Sequence, residues 1–214
     1  DIIRLGEICN IRLFRILGGE PLLNESLIKY LKVVRDTFPA TDIHIATNGL
    51  LLLKGDEDLL RYISENAIVL DITMYKPSVN LKEEIVRRLD SCKVIYSLDK
   101  ENLSVFNKVL TLNGNNNAIN SVNACKRKKC LILKSGCLYR CPISAYVERY
   151  NEQYGTNIEN EKLFDIYLDS REHLWKIALE NPIKPVLTCK YCVNKPVYFE
   201  WEQSINPQKE DWLV

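Results

Sequence analysis

The stretch RILGGEPLL, from Arg15 to Leu23, ends an apolar run with two glycines, an acid and a proline, and a segment with helical spacing follows it. Glycines at such a turn let a ligand approach the backbone without a Cβ in the way, and they permit positive φ. Pro21 fixes the direction in which the chain leaves the turn. A tight strand-to-helix turn also explains these residues, since short glycine motifs often match by chance. The surrounding sequence has to decide between a turn and a binding site.

The first half of the chain repeats this strand-then-helix order. Short apolar runs recur at 13–17, 43–47, 68–72 and 93–97. Amphipathic segments lie between them, each preceded by a helix start signal: Asn24, Asp56, and Asn80 with Glu83 as a capping box. Strands that alternate with helices at this spacing predict right-handed crossovers and an α/β fold with a parallel sheet. Ligands bind such sheets at the carboxyl ends of the strands, which is where the GGEP turn falls.

Composition narrows the class of protein. The chain has 214 residues, 46% of them hydrophobic, and a formal net charge of +1. A net charge this close to zero does not attract nucleic acid or an anionic membrane to the protein as a whole, so neither partner is expected. No run of apolar residues is long enough to span a membrane, and no leader opens the sequence. A cytoplasmic location is therefore expected.

Cysteines are concentrated near the end of the chain. Cys9 and Cys92 stand alone, and the other six are at positions 125, 130, 137, 141, 189 and 192. Without a secretion signal, metal binding is a better interpretation of this cluster than disulfides. Cys189 and Cys192 have chelating CxxC spacing, but spacing alone does not separate zinc from an iron–sulfur cluster.

The sequence around these cysteines predicts how they are positioned. The segment 131–139 reads as a hairpin that turns at Gly136, and residues 113–123 read as a polar loop. Pro142 favours a helix start directly after Cys141, where the helix dipole would stabilise a thiolate. A second helix is expected over 171–180, with Asp169 and Glu172 as its capping box. The sequence gives no functional role to His44, His173, Arg140 or Lys184, and the last two read as surface residues.

The segments ILGGEPLL and IHIATNG together resemble the radical S-adenosylmethionine (SAM) enzymes. The resemblance implies a partial (βα) parallel barrel in which Gly18, Gly19, Glu20 and Pro21 line the SAM methionine group. It also places Asn48, from the TNG ending, and Thr73, where the family often has a serine facing the SAM ribose, at the cofactor site. The family uses a 4Fe–4S cluster to cleave SAM reductively and so to start hydrogen abstraction from a substrate.

One departure from the family concerns its catalytic cluster. The family holds that cluster with CxxxCxxC, and these 214 residues contain no such motif. Cys9 is a single thiol and does not replace three ligands. We therefore expect the natural gene to extend upstream of Asp1 and to encode the motif there, and we expect this chain alone not to cleave SAM.

The cysteine-rich end resembles the SPASM/Twitch modules that hold auxiliary 4Fe–4S clusters in radical SAM enzymes. Their order of cysteine, glycine and cysteine is met by Cys125, Gly136 and Cys141, and their later CxxC by Cys189 and Cys192. The resemblance implies a cluster on Cys141, Cys189 and Cys192, with Cys125 or Cys130 as the fourth ligand. Cys137, like Cys9 and Cys92, is not expected to bind iron. The implied domains are a partial barrel over 1–112 and a small α+β module over 113–214.

Two classes of function follow from these motifs. The first is part of a radical SAM enzyme that uses SAM and 4Fe–4S clusters, is reduced by a flavodoxin or ferredoxin, and acts on an unknown substrate, which in the wider SPASM group is often a peptide or protein. The second is a non-catalytic chain, either a truncated barrel or a zinc-stabilised binding module. The sequence names neither a substrate nor a protein partner.

Overall fold

Helices and parallel strands alternate from Leu13 to Leu98 in the computed structural model, which describes residues 1–54, 56–98, 105–200, 202 and 204–214. The elements up to this point are α1 (Ile2–Ile8), β1 (Leu13–Ile16), α2 (Leu27–Thr37), β2 (Asp42–Thr47), α3 (Glu57–Glu65), β3 (Val69–Ile72), α4 (Lys76–Val79), α5 (Lys82–Ser91) and β4 (Ile95–Leu98).

The remaining elements lie in the second half of the chain. They are β5 (Val105–Leu110), α6 (Ala118–Ala124), β6 (Ile132–Lys134), β7 (Cys137–Tyr139), α7 (Pro142–Tyr154), β8 (Phe164–Asp165), α8 (Arg171–Ala178) and β9 (Cys192–Glu200). Short 3₁₀ helices occupy Pro21–Leu23, Leu187–Tyr191 and Lys209–Trp212. The chain divides into two compact units, one formed by Cys9–Ser104 with Ile2 and the other by Val105–Val214 with Asp1 and Ile3–Ile8.

The first unit is built on a parallel sheet of four strands in the order β1-β2-β3-β4. Its register pairs Ile16 with Ile45, and Ile45 with Leu70. The α/β prediction with a parallel sheet is confirmed. Within the part of the chain that the structure describes, these strands form an open sheet and not a closed barrel.

Alternation along the strands separates a buried face of this sheet from a more polar one. Ile43 and Ile45 of β2 are fully buried, whereas His44 between them is partly exposed. Because strand side chains alternate in direction, residues two apart share a face. The crossover helices contribute further apolar side chains to the core, and these are completely or almost completely shielded from solvent: Leu31, Val34, Leu60, Ile63, Ile85 and Leu89.

The helix start signals of this unit are only partly correct. Asp56 caps α3 as predicted, its carboxylate accepting a hydrogen bond of 2.9 Å from the N–H of Asp58. Helix α2 instead begins after Ser26, and Asn24 forms a turn by accepting from Ser26 N at 2.9 Å. The predicted capping box at Asn80 is wrong. An unpredicted short helix, α4, uses Asn80 as its own carboxyl-terminal cap, and α5 begins after Leu81.

Two small antiparallel sheets form the second unit. One pairs β5 with β9, and the other has the order β6-β7-β8. The predicted hairpin is confirmed, because β6 and β7 pair through a two-residue turn in which Ser135 and Gly136 have φ of 49° and 74°. Positive φ at both positions is the geometry that such hairpin turns require and that glycine adopts without strain.

The helices of the second unit differ from prediction at their starts. Helix α7 begins at Pro142 with Cys141 as its cap, as expected. The predicted loop 113–123 is helical from Ala118, because Asn117 accepts a hydrogen bond of 3.0 Å from Asn120 N and caps α6. Helix α8 is capped by Ser170 and not by Asp169. In the described chain, no helix has both the length and the apolar character that crossing a membrane requires.

Candidate functional site

The GGEP turn lies at the carboxyl end of β1, and the side chain of Glu20 ties it to the end of β2. One carboxylate oxygen accepts hydrogen bonds from Thr47 Oγ1 at 2.8 Å and from Leu22 N at 3.2 Å. The other oxygen accepts from Asn48 N at 2.9 Å. Glu20 therefore joins the two sequence motifs, GGEP and TNG, through contacts within the protein.

Gly18 and Gly19 are exposed and have open space beside them. A Cβ built on either residue meets no atom within 4 Å, and neither residue has a φ in the left-handed region. The positive φ that glycine permits is therefore not used at either position. Their lack of a side chain leaves room for a ligand at the backbone, which is the remaining physical reason for glycine in this turn.

Asn48 and Thr73 follow the ends of the neighbouring strands β2 and β3. The side-chain oxygen of Asn48 accepts a hydrogen bond of 2.9 Å from Leu50 N, which closes a turn. The backbone N–H of Thr73 donates to Thr47 O at 2.9 Å, so the ladder of the sheet continues to this point. The structure therefore brings the ends of β1, β2 and β3 to one edge of the sheet, where the residues expected to contact SAM lie.

A row of polar side chains crosses the more polar face of the sheet, and sequence reasoning missed it. Asp71 on β3 accepts from His44 Nδ1 at 3.0 Å and from Ser97 Oγ at 2.8 Å, and it pairs with Arg15 at 2.5 Å. Burial raises the pKa of Asp71, but the hydrogen bonds from His44 and Ser97 and the charge of Arg15 outweigh it, and the pKa is lowered overall. The available signal was an acid inside the apolar run of β3.

The second candidate site is a cavity of about 280 Å³ bordered by four cysteines: Cys125, Cys141, Cys189 and Cys192. They come from separate elements. Cys125 directly follows α6, and Cys141 caps the start of α7. Cys189 lies in the 3₁₀ helix Leu187–Tyr191, and Cys192 is the first residue of β9. The fold thus collects thiols that are far apart in sequence around one space.

The remaining cysteines lie elsewhere. Cys130 is exposed and does not border the cavity. Cys137 points its sulfur towards Asp165 Oδ2 at 3.8 Å, on the neighbouring strand β8. Cys9 and Cys92 belong to the unit that contains the parallel sheet. The structure therefore brings four of the five predicted metal ligands together and leaves out Cys130.

Backbone hydrogen bonds hold the chelating segment in place. Tyr191 O accepts from Thr111 N at 2.7 Å, and Lys190 O accepts from Asn116 N at 3.0 Å. The hydroxyl of Ser121 donates to Cys192 O at 2.5 Å. These contacts fix the loop before β9 against α6 and the end of β5, so the CxxC thiols are positioned by the fold rather than by a flexible loop.

Backbone N–H groups already donate to sulfur atoms at the cavity. Cys125 Sγ accepts from Arg127 N, and Cys141 Sγ accepts from Ser144 N, each at 3.4 Å. Hydrogen bonds to cysteine sulfur stabilise the thiolate form and tune iron–sulfur clusters. The arrangement is therefore chemically suited to thiolates that carry a metal.

Three of the four thiols have a pKa above that of an ordinary cysteine and so ionise less readily. Burial is the largest effect on the pKa of Cys141, Cys189 and Cys192, and it raises all three. The pKa of Cys192 rises to about 12 through burial and the neighbouring cysteines. At Cys141, burial outweighs the favourable bonds from Ser144 and Ile143, so the expected thiolate-stabilising effect of the helix start does not prevail. A bound metal would supply the charge that deprotonates such thiols.

The thiols border the cavity without meeting at one point. In the described ranges of the chain, no three His, Cys, Asp or Glu side chains form a group that could hold a metal ion as they stand. A single zinc ion binds sulfur at about 2.3 Å and so draws its ligands close together. Binding a single zinc ion here would therefore require the cysteine sulfur atoms to move closer together.

Two further buried polar residues border the same cavity. Arg140 is 5% exposed and Thr188 is 1% exposed, so the expectation that Arg140 is a surface residue is wrong. Its guanidinium pairs with Glu180, which is 40 positions away in sequence, at 2.9 Å. No local pattern marks such a pair, because the two residues are brought together only by the fold.

Comparisons with known proteins concern part of the chain. No protein-family model matches it. Similar curated proteins are named GTP 3′,8-cyclase; one from Sulfurimonas denitrificans is 41% identical over 69 residues, covering 32% of this chain and 21% of that protein. Another, from Clostridium perfringens, is 31% identical over 104 residues, covering 47% of this chain and 31% of its own length. One from Alkaliphilus oremlandii is 29% identical over 100 residues, covering 47% and 30%.

These relatives support an enzyme family and not a specific activity. The chain spans less than a third of the length of the curated relatives it matches. GTP 3′,8-cyclases are radical SAM enzymes that use 4Fe–4S clusters and SAM. The comparisons therefore support a distant relationship between this chain and radical SAM enzymes.

Proposed function

We propose that this chain is part of a radical SAM enzyme, with SAM bound at the GGEP edge of the sheet and an auxiliary 4Fe–4S cluster held in the cysteine cavity. The observation that carries the proposal is the convergence of Cys125, Cys141, Cys189 and Cys192 on one cavity of about 280 Å³. The relationship to GTP 3′,8-cyclases supports the same family.

The sheet edge is suited to a small polar cofactor. The exposed backbone of Gly18 and Gly19 has no neighbouring atoms where a Cβ would lie, so it is open to a ligand. Glu20 fixes the geometry of this turn against Thr47 and Asn48. In the proposal, backbone groups of Gly18 and Gly19 hold the methionine end of SAM, and Glu20 keeps the turn in place.

The cysteine cavity is suited to a cluster. Four thiolates are the usual ligand set of a 4Fe–4S cluster, and a cluster of several atoms reaches ligands that stand around a cavity better than one zinc ion does. Because Cys125 borders the cavity and Cys130 does not, we assign the fourth ligand to Cys125. With all four irons held by thiolates, such a cluster would supply electron transfer when bound.

The proposal also covers the domains, the location, the reductant, the SAM-cleaving cluster and the substrate. The domains 1–112 and 113–214 are a partial radical SAM barrel and a SPASM/Twitch-like module, and the enzyme acts in the cytoplasm with a reductant such as flavodoxin or ferredoxin. The SAM-cleaving cluster is held by residues outside these 214, so this chain alone does not cleave SAM. The substrate is unassigned, because GTP is named only for relatives that this chain matches in part.

Iron and sulfide analysis tests the proposal. After anaerobic reconstitution, the chain is expected to hold about four irons with sulfide. Cys125→Ala should lose them, whereas Cys130→Ala and Cys137→Ala should keep them. Stoichiometric zinc without sulfide in anaerobically purified protein would contradict the cluster and leave a structural zinc site. Formation of 5′-deoxyadenosine by this chain under reducing, anaerobic conditions would contradict the assignment of the cavity as a closed auxiliary site.

A further inference from the structure

Two side chains at the cysteine cavity have buried polar atoms without a hydrogen-bond partner. In the described part of the chain, Arg140 Nε and Thr188 Oγ1 are both buried and neither bonds to a protein atom. The residues as a whole are 5% and 1% exposed. Both border the cavity that the four cysteines line.

Arg140 is held in a fixed orientation by Glu180. Its Nη2 donates to Glu180 Oε2 at 2.9 Å, and the two side chains are 6% and 18% exposed. Glu180 Oε2 also accepts from Lys184 N at 3.1 Å, which anchors the carboxylate to the backbone. One side of the guanidinium is therefore satisfied, and the Nε–H is left without an acceptor.

Leaving a buried donor unsatisfied is costly, and more so for a charged group. Native proteins rarely keep such a donor without a partner, which is usually a protein group, a water or a bound ligand. Thr188 directly precedes Cys189, and Arg140 directly precedes Cys141, so each donor lies next to a cysteine of the cavity. The cysteine sulfur atoms that line the same cavity are therefore candidate acceptors for both donors.

We infer that Arg140 and Thr188 are positioning residues for the auxiliary cluster, donating hydrogen bonds from Arg140 Nε and Thr188 Oγ1 to the sulfur atoms of the cluster or of its cysteines. The inference rests on the proposed function, because it needs sulfur ligands in this cavity. A buried positive charge and two donors stabilise the reduced, more negative cluster. The reduction potential is consequently higher than it would be without them.

Arg127 provides an internal comparison. It also carries a positive charge and borders the cavity, but its side chain is exposed to solvent. Water and salt screen an exposed charge far more than a buried one. Removing the charge of Arg127 should therefore change the cluster much less than removing that of Arg140.

Midpoint potentials of the reconstituted 214-residue chain, measured by anaerobic redox titration followed by EPR, test the inference. Arg140→Met should shift the potential to more negative values, and Arg140→Lys should shift it less because the charge is kept. Thr188→Val should cause a smaller negative shift, and Thr188→Ser should restore the wild-type value. Arg127→Met is the matched control and should leave the potential close to wild type.

Glu180→Gln separates this role from a purely structural one. Removing the negative charge that offsets Arg140 should shift the potential to more positive values, opposite to Arg140→Met. A pair that serves only to hold the fold would lower stability in both variants without shifts of opposite sign. If Arg140→Met fails to retain a cluster, the comparison of Thr188→Val with Thr188→Ser decides, since equal potentials in these two overturn the inference.

The metal and sulfide content of the wild-type chain distinguishes a failure of the proposed cluster from a failure of the roles of Arg140 and Thr188. Wild-type protein that holds zinc without sulfide overturns both the cluster and the roles of Arg140 and Thr188. Wild-type protein with iron and sulfide, together with unchanged potentials in the Arg140 and Thr188 variants, leaves the cluster in place and overturns only this inference.

Discussion

The carboxylate of Glu20 accepts a hydrogen bond of 2.8 Å from the hydroxyl of Thr47, which is 27 residues later on the neighbouring strand. The same carboxylate accepts from Asn48 N at 2.9 Å and from Leu22 N at 3.2 Å. Thr47 is 5% exposed, so its hydroxyl has little access to water. Glu20 is therefore the residue that locks the turn after β1 against the end of β2.

Replacing Glu20 with alanine should destabilise the sheet unit. Three donors lose their acceptor, and leaving partly buried donors unsatisfied costs about 1–3 kcal/mol. Urea unfolding followed by far-ultraviolet circular dichroism measures the change in the free energy of unfolding.

Glu25→Ala is the matched control, because Glu25 is exposed on the same connection and should change stability by less than about 0.5 kcal/mol. Equal stabilities of Glu20→Ala and Glu25→Ala would show that the Glu20 bonds do not hold the turn.

Replacing Gly18 or Gly19 with alanine should stabilise the fold but weaken the binding of SAM. Neither glycine needs positive φ and a Cβ meets no atom within 4 Å, so each substitution should stabilise the fold by about 0.4–1 kcal/mol. The added methyl group should obstruct the proposed SAM contact and weaken binding about tenfold, which corresponds to about 1.4 kcal/mol. Equilibrium dialysis with labelled SAM measures the affinity.

Leu23→Ala serves as the control for this experiment, since Leu23 is 70% exposed at the end of the same turn and has no proposed contact with SAM. Wild-type SAM affinity in both glycine variants would contradict the binding role of the turn.

Asp71 should make the stability of the sheet unit depend on pH. Burial raises the pKa of Asp71. The hydrogen bonds from His44 and Ser97 and the charge of Arg15 lower it by more, so the pKa is below the ordinary value of 3.8. A group with a lowered folded pKa stabilises the protein above its unfolded pKa, and this contribution is lost as pH falls through the folded pKa. The stability difference between wild type and Asp71→Asn should therefore be constant at neutral pH and shrink as pH falls below 3.8.

Urea unfolding at pH values on both sides of 3.8 gives this difference. Ser97→Ala removes a hydrogen bond of 2.8 Å to Asp71 and should move the loss of stability to higher pH. A difference between wild type and Asp71→Asn that does not change with pH would contradict the role of the polar row.

The cysteines should differ in their reaction with iodoacetamide. Only the thiolate reacts, and a pKa of about 12 leaves about one Cys192 in ten thousand ionised at pH 8. Cys130 is exposed and should react early, whereas Cys192 should react slowly in the metal-free chain. Mass spectrometry of peptides over a time course measures each rate.

Reconstitution with iron and sulfide should then protect Cys125, Cys141, Cys189 and Cys192, while Cys130 and Cys137 stay reactive. Protection of Cys130 together with alkylation of Cys125 would move the fourth ligand to Cys130.

Local sequence patterns were sufficient for much of the fold. The spacing of apolar runs predicted β1 to β4 and their parallel pairing. Burial on one face imposes a two-residue period on strands. The helices between the strands require crossover connections, which make neighbouring strands parallel. The turn at Gly136 and the helix start at Pro142 were also predictable, since both depend on the backbone preferences of single residues. Helix caps were less predictable. Asn80 fits an amino-terminal capping box by sequence, but in the structure it is the carboxyl-terminal cap of α4.

The sequence by itself determined that the first strands form a parallel sheet, and it contains the GGEP and TNG motifs and a cysteine set with the character of a metal site. Only the tertiary structure decided that Cys125 and not Cys130 borders the cavity, and that Arg140 is buried beside it against Glu180. The physical reason is that periodicity and turn preferences act over a few residues. The burial of a charge, the pKa of a thiol and the meeting of distant side chains depend on contacts that exist only after the chain has folded.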